Sequence, residues 1–319
     1  MAGTLIVSLD FELLWGMLDQ PNVEGYRENV LGGRKAIPKL LDLFQKYGIH
    51  ATWAAVGFLF AESREELSEY LPEVLPTYET KTLLPYPVLD RIGENEEQAP
   101  CFFGASLLKQ IHGTPGQEIG SHTFSHYYCR EKGQTVEQFA ADMRAAKAIG
   151  LAHGYDLTSV VLPRNQCEPE YTEVLRELGF TAYRDEENDW IHEKVKLRPL
   201  MRLLRLADVY LPLTGQGGYL PRNENGIWNL TGSRMYKPIF PPLGFLEGWK
   251  LRRIKGQMRH AAKHGLTFHL WWHPHNLGVR TEEHLAQLEE LFRYYHQLKK
   301  DYGMESRNMR EAAGEGAAQ

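Results

Sequence analysis

Two acidic residues near the start of the chain have the types and spacing of a metal-binding or hydrolytic site. Asp10 and Glu12 follow an apolar run and lie two residues apart, so on a β-strand both carboxylates point to the same side. Two like charges on one face repel each other unless a cation or a base lies between them. Taken alone, the pair fits a solvated strand end better than a site, so its meaning depends on the other clusters.

Two histidines form a second cluster in the segment 120–126, which reads Gly-Ser-His-Thr-Phe-Ser-His. His122 and His126 are four residues apart, and on a helical turn this spacing directs both imidazole rings to one point, as in metal-binding helices. The segment also directly follows a predicted strand. A pair of surface or packing histidines explains the spacing equally well when the segment is considered alone.

The third cluster is the segment 271–275, with the sequence Trp-Trp-His-Pro-His, at the end of the last predicted strand. His273 and His275 share one side if the chain stays extended. A single histidine at such a position is ordinarily structural, but two adjacent tryptophans favour a partly dry environment that shifts its pKa. Two further polar elements also follow predicted strands, namely Arg164 and the pair Asp189-Trp190.

The elements that must position these clusters alternate between strands and helices, which indicates βαβ units and a parallel sheet. This pattern predicts an α/β fold, an irregular or incomplete (β/α) barrel, whose active site lies at the carboxyl ends of the strands. The predicted strands cover residues 4–12, 49–56, 117–120, 159–162, 180–183 and 266–272, and the predicted helices cover 32–47, 135–150, 170–178, 246–264 and 282–302.

Two irregular segments rich in proline or glycine interrupt this rhythm, near 61–117 and 185–243. We interpret both as insertions in one catalytic barrel domain that covers residues 1–309. The small and polar tail, residues 310–319, is expected to be disordered.

Composition excludes several classes of protein. The net charge is −5 and the Lys and Arg residues are scattered, so the basic stripe of a nucleic-acid-binding protein is missing. No apolar stretch approaches about 18 residues, so no transmembrane helix is predicted. Three widely spaced cysteines and the lack of a signal-peptide pattern lead us to expect a cytoplasmic protein with free thiols. The oligomeric state is not indicated.

The order of these motifs resembles the NodB-type polysaccharide deacetylase family. The resemblance extends from Leu5 to about Gly278, and the segment 120–126 is its most specific part. It implies an irregular (β/α) barrel of the NodB type with inserted loops. It also implies that Glu12, His122 and His126 bind a divalent metal, commonly zinc.

The resemblance further implies a role for each remaining polar residue. Asp10 would be the catalytic base, His273 the general acid, and Arg164 the residue that orients the base. Asp189 and Trp190 would support the late histidine. Three protein ligands would leave the metal an open position, at which water is activated and the substrate carbonyl is polarised.

The chain also departs from the family pattern. The first motif is Asp-Phe-Glu instead of adjacent aspartates, and Arg164 is followed by Asn165 and Gln166, either of which could supply a side-chain donor to the substrate. His275 is an additional histidine that could assist or replace His273. Four tryptophans could stack on a sugar, namely Trp15, Trp53, Trp271 and Trp272, although core packing is expected for at least half of them. Among the four, Trp272 is predicted to bind the substrate.

Together these features predict a metal-dependent hydrolase that removes an acetyl or formyl group from the nitrogen of an amino sugar or a sugar-containing intermediate. Two alternatives stay open. One is a metal-independent hydrolase of small amides on the same fold, which would require a broken set of metal ligands. The other is an inactive carbohydrate-binding protein, which would require loss of Asp10 or His273.

Overall fold

A mostly parallel β-sheet forms the framework of the protein. The computed structural model describes residues 2–20, 22–185, 190–195 and 197–316. The strands, in chain order, are β1 (Thr4–Phe11), β2 (Ala51–Ala55), β3 (Gln117–Ser121), β4 (Ser159–Val161), β5 (Ala182–Arg184), β6 (Arg222–Glu224), β7 (Ile227–Asn229), β8 (Arg234–Met235), β9 (Thr267–Trp272) and β10 (Glu305–Arg307).

The strand order is that of an open barrel. It runs β6-β7-β5-β4-β3-β2-β1-β9-β8, with β10 added beside β1, and β6 and β7 are the antiparallel pair. The end strands β6 and β8 do not pair with each other. Residues 230–233 span the gap, because Leu230 N donates to Tyr183 O (2.9 Å) and Ser233 N donates to His269 O (2.9 Å). The predicted irregular (β/α) barrel is confirmed.

Helices cover the sheet and connect its strands. Their bounds are α1 (Arg27–Tyr47), α2 (Arg64–Glu69), α3 (Tyr86–Leu89), α4 (Ala105–His112), α5 (Val136–Ala152), α6 (Pro169–Glu177), α7 (Trp190–Lys194), α8 (Arg198–Tyr210), α9 (Glu247–His264), α10 (Thr281–Tyr302) and α11 (Met309–Gly316). The signals that predicted the main helices act as expected. Gly48 ends α1 in the left-handed region (φ 57°), and Thr135 and Gln138 form the capping box of α5.

The two predicted insertions contain short elements. Residues 61–117 hold α2, α3 and α4, and residues 185–243 hold α7, α8 and the strands β6 to β8. The assignment of residues 1–309 to a single domain stays a prediction. None of the described helices has the length and apolar character needed to cross a membrane.

Side chains of alternating strand positions fill the barrel in layers. Ile6 of β1 packs with Ala54, Val161 and Ala182 from neighbouring strands near the amino-terminal end of the barrel. Ser8 and Asp10 lie two and four residues further along β1, so they follow Ile6 on the same side of the strand. An apolar layer therefore supports a polar layer, and the polar layer opens at the carboxyl ends of the strands.

The chain terminus closes the apolar end of the barrel. Residues 310–316, expected to be disordered, belong to α11, and Ala313 is buried against the layer that contains Ile6. Met309 N donates to Thr52 Oγ1 (2.8 Å) and Arg310 N donates to Glu118 Oε2 (3.1 Å). The prediction of a disordered tail was therefore wrong up to residue 316, because small residues here meet an apolar surface that the sequence does not reveal. Residues 317–319 lie outside the described residues.

Candidate active site

Three side chains from two strand ends converge on one point. Glu12 follows β1, and His122 and His126 follow β3. Glu12 Oε2 lies 3.0 Å from His126 Nε2 and 3.3 Å from His122 Nε2, and all three residues are buried. One ligand atom from each lies within 4.8 Å of the others. The structure thus brings together the three predicted metal ligands.

The two histidines do not lie on a helical turn, so that part of the prediction was wrong. Thr123 (φ 65°) and His126 (φ 59°) have left-handed backbone conformations, and the segment forms a tight loop. The rings still converge, with centroids 5.1 Å apart. The left-handed residues therefore turn the backbone so that both imidazole rings point to one site, as the four-residue spacing would do on a helix.

Asp142 of α5 holds this loop in place. Its carboxylate accepts hydrogen bonds from Phe124 N (2.7 Å) and Ser125 N (3.2 Å), and also from the hydroxyl of Ser125. Burial raises the pKa of Asp142 to about 7, although these three donors oppose the shift. Sequence reasoning missed this residue. The available signal was an aspartate next to Met143, on the apolar stripe of a predicted helix.

The hydrogen bonding of His122 suits a cation between these groups. His122 Nδ1 lies 2.8 Å from the carbonyl oxygen of Val161, and a carbonyl only accepts, so Nδ1 carries the proton. In the neutral tautomer with this proton, the Nε2 lone pair faces the Glu12 carboxylate, which brings two acceptors into conflict. A divalent ion between them removes the conflict, and a backbone partner that fixes the tautomer is typical of metal-bound histidine. Two imidazoles and one carboxylate suit zinc.

The protonation states of the other two ligands agree with this arrangement. Burial lowers the pKa of His126, which favours its neutral form. Burial alone would raise the pKa of Glu12, but the surrounding histidines, His273 foremost, outweigh it and hold that pKa well below its ordinary value. Glu12 is therefore a carboxylate at neutral pH.

Gly16 leaves the space that the Glu12 carboxylate occupies. A Cβ atom on Gly16 would lie 2.1 Å from Glu12 Cδ and 2.2 Å from Glu12 Oε2. Any larger residue at position 16 must displace this carboxylate from the position it holds beside the two histidines. Sequence reasoning missed this glycine as well, because nothing in the local pattern shows that it faces Glu12.

The guanidinium beside Asp10 belongs to Arg184, not to Arg164 as predicted. Arg184 Nη1 donates to Asp10 Oδ1 (2.8 Å) and Nη2 to Asp10 Oδ2 (2.7 Å), with both side chains buried. Arg184 also donates to Ser8 Oγ (2.8 Å) and to Asn165 Oδ1 (3.0 Å). Burial would raise the pKa of Asp10, but Arg184, and next His273, lower it below its ordinary value, so Asp10 is ionised and held in one orientation.

Arg164 points to the rim of the site instead. Its guanidinium lies 4.3 Å from the Tyr128 ring centroid and forms ion pairs with Asp19 (2.7 Å) and Glu131 (2.8 Å). The physical reason is the backbone. Arg164 lies beyond the end of β4 in a left-handed conformation (φ 57°), whereas Arg184 belongs to β5 and lies two residues after the inward-facing Ala182.

His273 lies between the two acidic residues at the end of β9. Its Nε2 is 3.6 Å from Asp10 Oδ2 and 3.6 Å from Glu12 Oε1, and its side chain is about one-fifth exposed (21%). The ring stacks on His275, with centroids 4.9 Å apart. Burial lowers the pKa of His275 to about 3, so this ring stays neutral and supports His273 without competing for its proton.

The residues predicted to bind substrate or to support His273 lie in different places. Asn165 binds Arg184 and lines the cavity that Glu12, His122 and His126 also line, which we call the catalytic cavity. Gln166 accepts a hydrogen bond from Arg130 N (3.3 Å), and the indole of Trp190 donates to Leu213 O (2.9 Å), so neither is directed at the metal ligands. Asp189 lies outside the described residues.

Trp272 is a core residue, so its predicted role in binding substrate was wrong. It is fully buried against Phe44 and Tyr236. Successive side chains of a strand point to opposite faces. Its neighbour Trp271 therefore faces the barrel interior, where its ring lies 4.2 Å below the Arg184 guanidinium and lines the catalytic cavity. The cavity has a volume of about 340 Å³.

Comparison with known proteins agrees with the fold. The family model described as polysaccharide deacetylase matches residues 25–183, which include both predicted metal-ligand histidines. The chain belongs to the polysaccharide deacetylase family. A search of curated proteins found no match.

Solved structures with this fold include a putative polysaccharide deacetylase from Mycobacterium smegmatis, with 12% identity, a TM-score of 0.60, and coverage of 100% of this chain and 92% of that one. A probable polysaccharide deacetylase from Pseudomonas aeruginosa PAO1 has 12% identity, a TM-score of 0.59, and coverage of 99% and 90%. Puue allantoinase has 12% identity, a TM-score of 0.58, and coverage of 99% and 90%. At this identity the likeness concerns the fold alone.

Proposed function

We propose that this polysaccharide deacetylase family member is a metal-dependent hydrolase that removes an N-acyl group, acetyl or formyl, from an amino sugar. The observation that carries the proposal is one cluster at the carboxyl ends of the strands. Glu12, His122 and His126 converge there beside the ionised Asp10 and beside His273. The family supports hydrolysis of a carbon–nitrogen bond and a sugar substrate.

In this proposal, different residues of the chain bind the metal, accept a proton and donate a proton during amide hydrolysis. A divalent ion held by Glu12, His122 and His126 would activate water and polarise the acyl carbonyl. Asp10, kept ionised by Arg184, accepts a proton from the attacking water. Protonated His273 donates to the leaving amine, which is a poor leaving group without that proton.

The geometry supports this division of acid and base. Asp10 Oδ2 lies 3.6 Å from His273 Nε2, beyond hydrogen-bond distance, and this proximity supports the assignment of both groups to one reacting centre. Arg184 uses both oxygens of Asp10, which fixes the plane of its carboxylate. Trp271 forms an apolar wall of the cavity and is suited to stack on a sugar ring.

Zinc as the metal and an N-acylated sugar as the substrate belong to the proposal. Zinc is supported by the ligand types, and the sugar by membership of the family. A cytoplasmic location also stays a proposal. The cavity volume of about 340 Å³ is at the lower end of ligand pockets and suits one sugar residue carrying an acyl group.

The decisive experiment combines metal analysis with an assay of acid release. Purified protein is expected to carry one divalent ion per chain and, in that form, to release acetate or formate from a panel of N-acylated sugars. Asp10→Asn and His273→Gln should each lower kcat roughly 10²- to 10⁴-fold, because each removes a proton-transfer group. Asp156→Asn, whose side chain is exposed (70%), is the matched control and should behave like wild type.

Other results would contradict the proposal. If metal-loaded protein releases neither acid from the panel and Asp10→Asn behaves like wild type, the hydrolase assignment is wrong. Activity that persists after complete removal of the metal would instead support the metal-independent hydrolysis of small amides. Sugar binding without turnover would support a carbohydrate-binding protein.

A further inference from the structure

A surface of exposed apolar side chains lies beside the candidate active site. Of the 16 large hydrophobic residues exposed in the described parts of the chain, 11 lie between residues 190 and 249, so this exposure is concentrated in the second insertion, which holds nine of them, and in the residues that follow it. We define the apolar face by five of them, which belong to α8 and to the segment before α9: Leu200, Leu203, Leu206, Phe240 and Phe245. Concentrated apolar exposure of this kind marks an interaction surface.

Helix α8 is fixed to the protein while its leucines stay in solvent. Asp208, near its end, forms buried ion pairs with Arg234 (2.7 Å) and Arg253 (2.7 Å). Asp208 is also the one acidic residue in the sequence of α8. The remaining charges of the helix are therefore all positive, and they are exposed: Arg198, Arg202 and Arg205. A helix that combines exposed leucines with cations is typical of proteins that lie on anionic membranes.

A second cavity connects this face to the catalytic residues. It has a volume of about 610 Å³, and its lining includes Arg202, Arg205, Leu206 and Phe240. It shares four residues with the catalytic cavity, namely Arg164, Asn165, Met235 and Trp271. Within the described residues, Arg202 and Arg205 have no acidic partner at ion-pair distance. The two arginines are thus available to an anionic ligand that extends from the catalytic cavity.

We propose that the apolar face rests on an anionic membrane surface and that the second cavity receives the phosphate of a lipid-linked amino sugar. This inference rests on the proposed deacylase function. The sugar of such a substrate lies at Asp10, its phosphate pairs with Arg202 and Arg205, and its hydrocarbon chain continues along Leu206 and Phe240 into the lipid. A nucleotide offers the same phosphate but no apolar chain to cover the exposed leucines, so the lipid fits the surface better.

Vesicle sedimentation with the metal-loaded protein tests the membrane contact. Wild type should sediment with phosphatidylcholine vesicles that contain phosphatidylglycerol. Leu203→Glu and Phe245→Glu should each lower the partition coefficient roughly tenfold or more, because an apolar contact is lost and a repelled charge is added. Leu151→Glu, on the equally exposed position of α5 (73%), is the matched control and should sediment like wild type. Absence of wild-type sedimentation, or sedimentation unaffected by both face variants, would overturn the proposal.

Titration calorimetry with farnesyl phosphate and UDP identifies the source of the phosphate. Farnesyl phosphate should bind more tightly than UDP, and the double variant Arg202→Gln/Arg205→Gln should weaken its binding roughly tenfold or more. Coordination of the phosphate by the metal alone would leave the double variant like wild type and would contradict the proposal. Tighter binding of UDP would assign the cavity to a nucleotide and would also contradict it.

Neither measurement depends on turnover, so the two proposals can fail separately. Protein that binds vesicles and farnesyl phosphate as expected, but hydrolyses no acylated sugar, would contradict the deacylase function and leave the membrane contact intact. Protein that hydrolyses soluble acylated sugars but fails both binding tests would contradict only the membrane contact.

Discussion

Replacement of Arg184 by glutamine tests whether this residue, and not Arg164, controls the catalytic base. The change removes a bidentate pair in which the Arg184 side chain is fully buried and that of Asp10 is 5% exposed. Breaking one partner of a buried pair costs about 3–5 kcal/mol, because the other charge is left without compensation. Arg164 forms partly exposed pairs with Asp19 and Glu131, and pairs of that kind contribute about 0–1 kcal/mol. The matched variant Arg164→Gln should therefore be close to wild type in stability.

The pH dependence of the Arg184→Gln variant follows from the pKa of Asp10. In the wild type Arg184 lowers this pKa against burial, so without Arg184 burial raises it. The acid limb of kcat/KM should move to higher pH, since Asp10 must be ionised to act as base. The lowered pKa of Asp10 in the folded state stabilises the protein at pH values above its unfolded-state pKa. This stabilisation is lost as the pH falls through the folded-state pKa. The difference in unfolding free energy between wild type and variant should therefore be largest at neutral pH and shrink in acid.

Two measurements check this reasoning, urea unfolding over a range of pH and the pH profile of kcat/KM. The double variant Asp10→Asn/Arg184→Gln removes both charges and should be more stable than Arg184→Gln alone. The unfolding measurements remain informative even if activity is lost. The reasoning would be refuted if Arg164→Gln shifted the acid limb and Arg184→Gln did not, or if the double variant were the least stable of the three.

Three further predictions concern residues that the fold brings to the site. Gly16→Ala should weaken metal binding roughly 10- to 100-fold with little effect on unfolding, because the new Cβ displaces the Glu12 carboxylate. The control is Gly256→Ala, which has open space around the new Cβ. Equal metal affinity of the two variants would contradict the prediction. Asp142→Ala should destabilise the protein by about 1–3 kcal/mol for each buried N–H group left unpaired and should also weaken metal binding, as measured by competition with a chelator. Trp272→Ala should lower the free energy of unfolding by about 3–5 kcal/mol, because it leaves a cavity in the core. Trp271→Ala should mainly lower kcat/KM, since Trp271 lines the catalytic cavity. The reverse pattern would show that the two faces of β9 are assigned wrongly.

Local sequence patterns were sufficient for much of the framework. The apolar runs and caps predicted β1, α5 and β9 within a few residues, because strand and helix signals depend on neighbours along the chain. The rule that active-site residues follow strands predicted Glu12 and His122 at strand ends, and the family resemblance grouped them as ligands of one metal. These predictions needed no knowledge of which strands are adjacent.

Long-range partners could not be predicted in the same way. Arg164 and Arg184 both follow or end a predicted strand, and only the inward direction of β5 decides that Arg184 meets Asp10, 174 residues away along the chain. Trp271 and Trp272 are identical in type and adjacent, and only the side of β9 that faces the barrel separates the cavity wall from the core.

The sequence by itself determined which residue types could bind a metal and transfer protons, since these properties belong to the side chains of Asp10, Glu12, His122, His126 and His273. Only the tertiary structure decided how these groups are held and what surrounds them. Arg184 fixes the base, Asp142 fixes the histidine loop, and Gly16 makes room for the Glu12 carboxylate. These interactions depend on distances of a few ångströms between distant parts of the chain, which side-chain direction and strand order set and local sequence does not.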